Sequence, residues 1–565
     1  MRRVVVVVAL AALVFPGAAW GHAVLLRTSP VASKILSQAP TEVRLTYSEP
    51  TEPRFAIVSV TDAAGHLVTR GSPVRAPDEA NTVSVPLQPL PQGWYLVYWR
   101  VISADGHPVR GAFTFAVGPS AGPAPQFVIP SISETAATPR LVITRWIVFL
   151  SVMAAIGLFV LRILIARPLV RLWWVSAAFF VAAGIALVAT PIYVALATAQ
   201  FTLRSVFDLG DIVPLMRASA FGRGFLDLWL CVALLAFAGA VAMWLDRPER
   251  PRRTLAALLA VAGALAAATA ALLTLSVSGH AGQTSPRGLA IPVDWLHFAA
   301  GSIWIGGLIG LLVLAASLPT ARRVAGLIVA VPRFSNVAFI SVMALLGSGI
   351  GNALFHLPTL GSLWDTSYGK LVLLKIAILL SAMLVASVNL LRNKPRLAAA
   401  ERRPDLATGA GSLLRRLVGV EVVLVAGAIF AAALVTSLAP PSKALGEIGS
   451  VQARVGPGPA SRVLDENGYR LEFRIAPNRA AVPNRFSVRI TKDGAPLTGA
   501  TITTTLAMLD MEMGEQGYRF EETSPGVYSR TAPALVMVGH WGLTFEIEPP
   551  GEKPFTMVLV DRAAG

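Results

Sequence analysis

The chain has 565 residues, 54% of them hydrophobic and only 14% charged, and its mean hydropathy of +0.63 excludes an ordinary soluble protein. The net charge of +16 does not point to nucleic acid, because the basic residues fall in short clusters between apolar runs. The single Cys231 lies within an apolar run, so disulfides and cysteine zinc sites within one chain are excluded, leaving His, Met, carboxylate or the chain terminus as metal ligands.

Residues 1–21 read as a secretory signal peptide. Arg2 and Arg3 form the basic head, Val4 to Val14 the apolar stretch, and Ala19-Trp20-Gly21 the small-residue cleavage site. Cleavage after Gly21 makes His22 the first residue. From His22 to Gly118 short alternating runs are broken by Pro, Gly and Asp. Strands are expected at Val43–Tyr47, Ala56–Val60, Val83–Val85, Trp94–Trp99 and Ala112–Val117, which suggests a sandwich or barrel of about a hundred residues.

A free His22 offers its α-amino nitrogen and its imidazole to one metal. Two nitrogens in one chelate, with a further imidazole and a carboxylate, suit tetragonal Cu(II). Asp105 and His107 lie two apart, so on an extended segment both face one side. The alternative is a turn at Asp105-Gly106 with His107 as its cap. His66, in Asp62-Ala63-Ala64-Gly65-His66, reads as a structural turn residue.

Several stretches resemble the copper-resistance family CopC: His22 to Pro30, Ala39 to Val43, Tyr47-Ser48-Glu49-Pro50 and Tyr98 to Gly111. The resemblance covers 22–118 and implies a Greek-key, cupredoxin-like barrel that binds Cu(II). The implied ligands are His22, Asp105 and His107, with Glu49 in the outer shell. Some members also hold Cu(I) in a Met-rich loop; this chain has no Met between His22 and Gly118, so that second site is not expected.

Residues 119–140 read as a linker. Eight apolar segments follow, near 141–165, 172–198, 224–245, 254–277, 290–317, 334–356, 370–391 and 416–438, each about the length that spans a bilayer. With the first β domain outside, the inner connections carry seventeen basic residues and the outer ones five. This asymmetry follows the positive-inside rule and returns the C-terminus to the outside. All seven histidines then lie outside or in the outer half of the membrane. Polar groups within a span are costly and mark function. Asp294 and His297 share a helix face in span five, Ser341, Ser348, Asn352 and His356 form a stripe in span six, and His280 sits where span four exits. His280, His297, His356 and Asp294 are expected to form a metal site at the outer mouth. Against it stands the reading in which Ser and Asn join helices and His is wet at the interface. Lys370 and Lys375 oppose a cation there and are unexplained.

The motifs Ser278-Gly279-His280-Ala281, Asp294-Trp295-Leu296-His297, Ile303 to Leu308, Arg333-Phe334-Ser335 and Tyr368 to Leu371 resemble CopD, the membrane partner of CopC. That resemblance implies copper uptake and tolerance. From Val451 onward short strands return, at 469–475, 485–490, 500–506, 527–530 and 542–547. Met508, Met511, Met513, Met537 and His540 lie here, and thioethers prefer Cu(I). The paired Met, Gly526-Val527-Tyr528 and Met537 to Trp541 resemble YtkA-like domains; core packing of the methionines is the alternative.

The expectation is a multidomain chain: an N-terminal all-β Greek-key (cupredoxin/Ig-like) barrel, an eight-span α-helical membrane domain over 141–440, and a small all-β sandwich over 451–560. It binds copper in the periplasm and transfers it to or across the inner membrane. Its partners are copper ion, the lipid bilayer and periplasmic copper chaperones. A haem-binding redox membrane protein using His280 and His297 is the competing class, and an anchored copper buffer without transport is the third. No Walker A motif, no Asp-Lys-Thr-Gly and no nucleophile–base constellation occurs, so neither an ATP-driven pump nor an enzyme is expected.

Overall fold

The structure, a computed structural model, describes all residues other than 1–22, 24, 33, 104–107, 120–124, 126, 128–137, 166–172, 203, 219, 247–251, 283, 285, 318–319, 394, 397–404, 439–443, 448–450, 467, 511–514 and 565. The chain divides into two compact units, one holding the long helices and the other holding both β domains.

The N-terminal domain has strands β1 (Leu25–Ser29), β2 (Ile35–Leu36), β3 (Glu42–Tyr47), β4 (Ile57–Asp62), β5 (Val74–Arg75), β6 (Thr82–Pro86), β7 (Gly93–Ile102) and β8 (Pro108–Val117). They form two four-stranded sheets, ordered β1-β3-β6-β5 and β2-β8-β7-β4. Alternate residues meet between the sheets: Val43, Leu45 and Tyr47 of β3 share a core with Val97 and Trp99 of β7 and Phe113 and Phe115 of β8. Asp62 closes the turn after β4 by accepting from the His66 amide at 2.8 Å, with the His66 ring 3.0 Å away.

β7 reads Trp-Tyr-Leu-Val-Tyr-Trp without alternation, and the structure gives the reason. Its second face is covered as well: Leu96 and Ala112 pack with Ala481 of the C-terminal domain and with Phe127, and the Ala112 amide donates to Val536 O at 3.0 Å. The two β domains are therefore docked on each other.

The C-terminal domain runs from β9 (Ala453–Val455) and β10 (Ala460–Glu466) to β19 (Phe555–Ala563). One sheet pairs β10, β11 (Tyr469–Ala476), β12 (Asn484–Lys492), β17 (Val527–Ala532) and β16 (Glu521–Ser524), with β13 (Ala495–Pro496) beside β12. The other is ordered β15 (Gln516–Arg519), β14 (Thr501–Met508), β18 (Gly539–Glu548), β19 and β9. Strict alternation buries Tyr469, Leu471, Phe473 and Ile475 of β11 against Leu543, Phe545 and Ile547 of β18.

Among the described residues eight helices are long and apolar enough to cross a membrane. They are α1 (Pro139–Val160, continued by a π turn over Leu161–Ile165), α2 (Trp173–Thr202), α3 (Ala220–Leu245), α4 (Leu255–Ser278), α5 (Arg287–Ser317), α6 (Thr320–His356), α7 (Ser367–Val388) and α8 (Asp405–Val435). Pro139 opens α1, where its missing N–H costs nothing. Thr254 and Thr366 cap α4 and α7 by accepting from the Ala257 and Gly369 amides. α1 and α5 form the centre of the bundle, and they cross at Gly157 and Gly306. A side-chain carbon on Gly306 would lie 2.5 Å from the Gly157 Cα, so two glycines are required for this approach. Leu354, Leu384, Phe237 and Val423 point outward and are at least 69% exposed, as lipid-facing residues are.

Two charged groups within the helical unit are paired or solvated by hydroxyls. Asp246 is buried between Arg162 and Arg253, each 3.3 Å away. Arg145 is buried and donates to Tyr193 Oη at 2.8 Å, to Ser437 Oγ at 2.9 Å and to Thr436 Oγ1 at 3.1 Å, tying α1 to α2 and to the residues after α8.

Candidate metal centre

His22, Asp105 and His107 lie outside the described residues. The residues that flank them share one end of the N-terminal domain. β1 begins at Leu25, opposite Tyr47 at the end of β3, while Ile102 and Pro108 are the last pair of the β7–β8 hairpin. Tyr47 and Trp99, at 5.7 Å between ring centroids, join the two sheets at this end. Ala23 is fully buried there, and Glu49 follows Tyr47 in a half-buried position. Gly111 is needed beneath Trp99, because a Cβ would fall 2.6 Å from the indole.

In the membrane bundle the predicted residues gather on α5, on α6 and in the 3-10 turn His280–Gly282 that follows α4, and α7 adds one that carries charge. Asn352 Nδ2 donates to Asp294 Oδ1 at 3.0 Å. The Ser348 hydroxyl donates to Ala344 O at 2.6 Å, so its oxygen accepts from His297 Nδ1 at 3.1 Å. That fixes the proton of His297 on Nδ1 and leaves Nε2 as acceptor, facing Lys375 Nζ at 3.3 Å. Both ring nitrogens of His297 are thus engaged. Lys375 also lies within electrostatic reach of Asp294. The sequence set Lys375 against a cation; in the fold it completes a closed network with His297.

His356 and His280 form a second group nearer the helix ends, with ring centroids 6.1 Å apart. His356 Nδ1 donates to Asn352 O at 2.7 Å, which leaves Nε2 as acceptor, 3.3 Å from Thr284 Oγ1. The Thr284 hydroxyl donates to His280 O at 2.8 Å, so the Nε2 lone pair of His356 is open to an ion. Asn352 Oδ1 is buried without a hydrogen-bond partner among the described residues. The four residues predicted at the mouth therefore fall into an Asp294–His297–Lys375 network and a His280–His356 pair, joined through Asn352. Among the described residues no three His, Cys, Asp or Glu side chains group closely enough to hold a metal.

In the C-terminal domain Met508 and Met537 are buried in the core, 2% and 7% exposed. Met511 and Met513 lie outside the described residues. The methyl of Met508 nonetheless reaches the rim, since a Cβ on Gly539 would meet it and Asp510 at 2.5 Å. Asp510 accepts from the His540 amide at 2.8 Å, with His540 Nδ1 3.0 Å away.

Sequence reasoning passed over Glu421. It is 3% exposed on α8 and accepts a hydrogen bond from Asn389, which starts a π turn after α7. An acidic residue inside an apolar span was the available signal. A cavity of about 200 Å³ adjoins it, bounded by α5, α6, α7 and α8.

The chain matches the CopC domain family over residues 25–118, the family described as copper resistance protein D over 328–435, and the YtkA-like family over 465–546. The copper transport protein CutJ of Bacillus subtilis is 26% identical over 545 residues, covering 94% of each chain. Copper resistance protein C of Escherichia coli is 34% identical over 106 residues, which is 18% of this chain and 83% of the relative. Among solved structures, CopC from Methylosinus trichosporium OB3b is 28% identical, with 19% of this chain and all of that one covered, at a TM-score of 0.16. The chain thus belongs to the CopC family, in a form that carries a copper resistance protein D segment and a YtkA-like segment on the same polypeptide.

Proposed function

We propose that the protein captures copper outside the cell membrane and passes it to, or across, the bilayer through its helical domain, serving copper import, homeostasis and resistance. The observation that carries this reading is the union, on one chain, of a CopC domain with a bundle whose spans five, six and seven converge at His297, Ser348 and Lys375. The chain-length similarity to a copper transport protein supports it.

In this reading the N-terminal domain is a Greek-key, cupredoxin-like sandwich, and Cu(II) is held by the His22 amine and imidazole with Asp105 and His107. Glu49 supports the ligands from outside. The convergence of the flanking strands near Tyr47 and Trp99 favours this assignment. Cleavage after Gly21 creates the amine. Both β domains face the periplasm, where chaperones can deliver copper, in keeping with the excess of basic residues in the inner connections.

Copper then meets His280 and His356 at the mouth, His356 Nε2 being the open nitrogen. Asp294 and His297 lie deeper and bind only when the Lys375 contact gives way. In the C-terminal domain Met508, Met511, Met513 and Met537 are the candidate thioethers for Cu(I).

The test is copper uptake in cells whose own copy is deleted. His280→Ala combined with His297→Ala should reduce copper-dependent uptake to the level of the deletion strain. Undiminished uptake by the double variant, at equal membrane abundance, would remove the mouth site from this account.

A further inference from the structure

The cavity beside Glu421 has a chemistry that the outer polar cluster does not explain. α6 packs on α5, and α7 packs on α8, while α8 also packs on α5. The two pairs leave a cleft where α6 faces α7. Lys375 bridges its outer part to His297. Further along the same cleft lie Met343 of α6 and Met383 of α7, with Trp304 of α5 and Glu421 and Asn389 at the far wall. At 1.5 Å per residue, Met383 is about 12 Å along α7 from Lys375, and Met343 about 8 Å along α6 from Ser348.

The wall carries one carboxylate. Its hydrogen-bond partner Asn389 is a neutral amide, and no Lys, Arg or His is among the described residues lining the cavity. A carboxylate in the hydrocarbon layer is costly and is retained for a purpose. An ionised Glu421 therefore calls for a monovalent cation from outside the chain. Two thioethers on facing helices select a soft ion over sodium or potassium. Ser335 and Ser387 add hydroxyl oxygens to an otherwise apolar wall, and π turns such as that starting at Asn389 recur at functional sites. The segment matched to the copper resistance protein D family, 328–435, contains all three of Met343, Met383 and Glu421.

We propose that Met343, Met383 and Glu421 form an intramembrane Cu(I) site in the α6–α7 cleft, distinct from the polar cluster at the mouth. The site rests on the reading that copper traverses this bundle, and it gives the ion a halfway position on the far side of Lys375.

The experiment uses the full chain in lipid nanodiscs, titrated with Cu(I) against bathocuproine disulfonate. Met343→Leu with Met383→Leu, and separately Glu421→Gln, should each weaken one Cu(I) by about tenfold or more. X-ray absorption at the copper edge, with one Cu(I) bound per chain beyond those retained by the methionine variant, should show sulfur scattering from that ion in the unaltered chain and in Glu421→Gln but not in the methionine variant. Unchanged Cu(I) affinity in both variants overturns the site, as does a co-purifying lipid that fills the cavity while Cu(I) binding is unaffected. The two variants are independent, so misfolding of one leaves the other to decide. Uptake by the unaltered chain, measured in parallel, tells failure of this site from failure of the transport reading: uptake present with variants unaffected sinks the site, and uptake absent sinks the transport reading.

Discussion

Asp561 is fully buried in the C-terminal domain, accepting from Asn478 at 2.8 Å on one oxygen while the other has no hydrogen-bond partner among the described residues. Burial pushes its carboxyl up to about 6, against the hydrogen bond from Asn478. The folded domain thus holds this proton more tightly than the unfolded chain, whose Asp titrates near 3.9. The resulting stability is fully present below about pH 4 and is lost as pH rises through about 6. Asp561→Asn should remove that pH dependence and stabilise the domain by about 2–3 kcal/mol at pH 8. Hydrogen exchange of the β18 and β19 amides in the full chain reads this directly, and equal protection in both proteins at pH 8 would refute it. Nothing in the sequence marks Asp561, because its burial comes from a long-range pairing of β19 with β18 and β9. His297 was legible as a polar group inside a span. Its partner Lys375 was visible as a charge, but the contact between them spans 78 residues and depends on α8 packing against both α5 and α7.

Helices and strands were the most legible level, for a physical reason. Each apolar span and each alternating strand announces its own burial locally. What the pattern does not carry is where elements touch. Gly306 appeared as part of a resemblance motif; the fold shows it admitting α1 at Gly157. Gly306→Val should cost about 1–3 kcal/mol or more, since backbone on the other side cannot yield. Thermal melts of the detergent-solubilised chain should fall by several degrees, and an unchanged melt would mean the helices do not cross here. The unbroken apolar run of β7 likewise carried a message that went unread. A strand covered on both faces needs a second layer, and Ala481 and Val536 of the other β domain belong to it. The buried Arg162–Asp246–Arg253 group shows the same limit: two arginines that count as inner-loop charge also clamp helix ends through Asp246.

At the scale of the whole molecule, composition and hydropathy were enough to read β domain, eight spans and β domain in order. They could not reveal that the two β domains share an interface, which brings the CopC and YtkA-like segments together in one compact unit. In the proposed reading, one polypeptide is both receiver and conduit. A buffer on a passive anchor would need neither the His280–His356 pair nor a methionine-lined cleft below Lys375. A haem protein would need paired imidazoles open to iron, whereas His297 has both nitrogens engaged. Cellular copper is the quantity that separates these accounts. Radioactive copper accumulation should be compared, at limiting copper, between cells lacking the gene, cells carrying the full chain, and cells carrying residues 1–118 alone. The full chain should raise accumulation several-fold while the fragment leaves it at the level of the deletion. Equal accumulation in all three strains, or equal rescue by the fragment, would contradict the proposed reading.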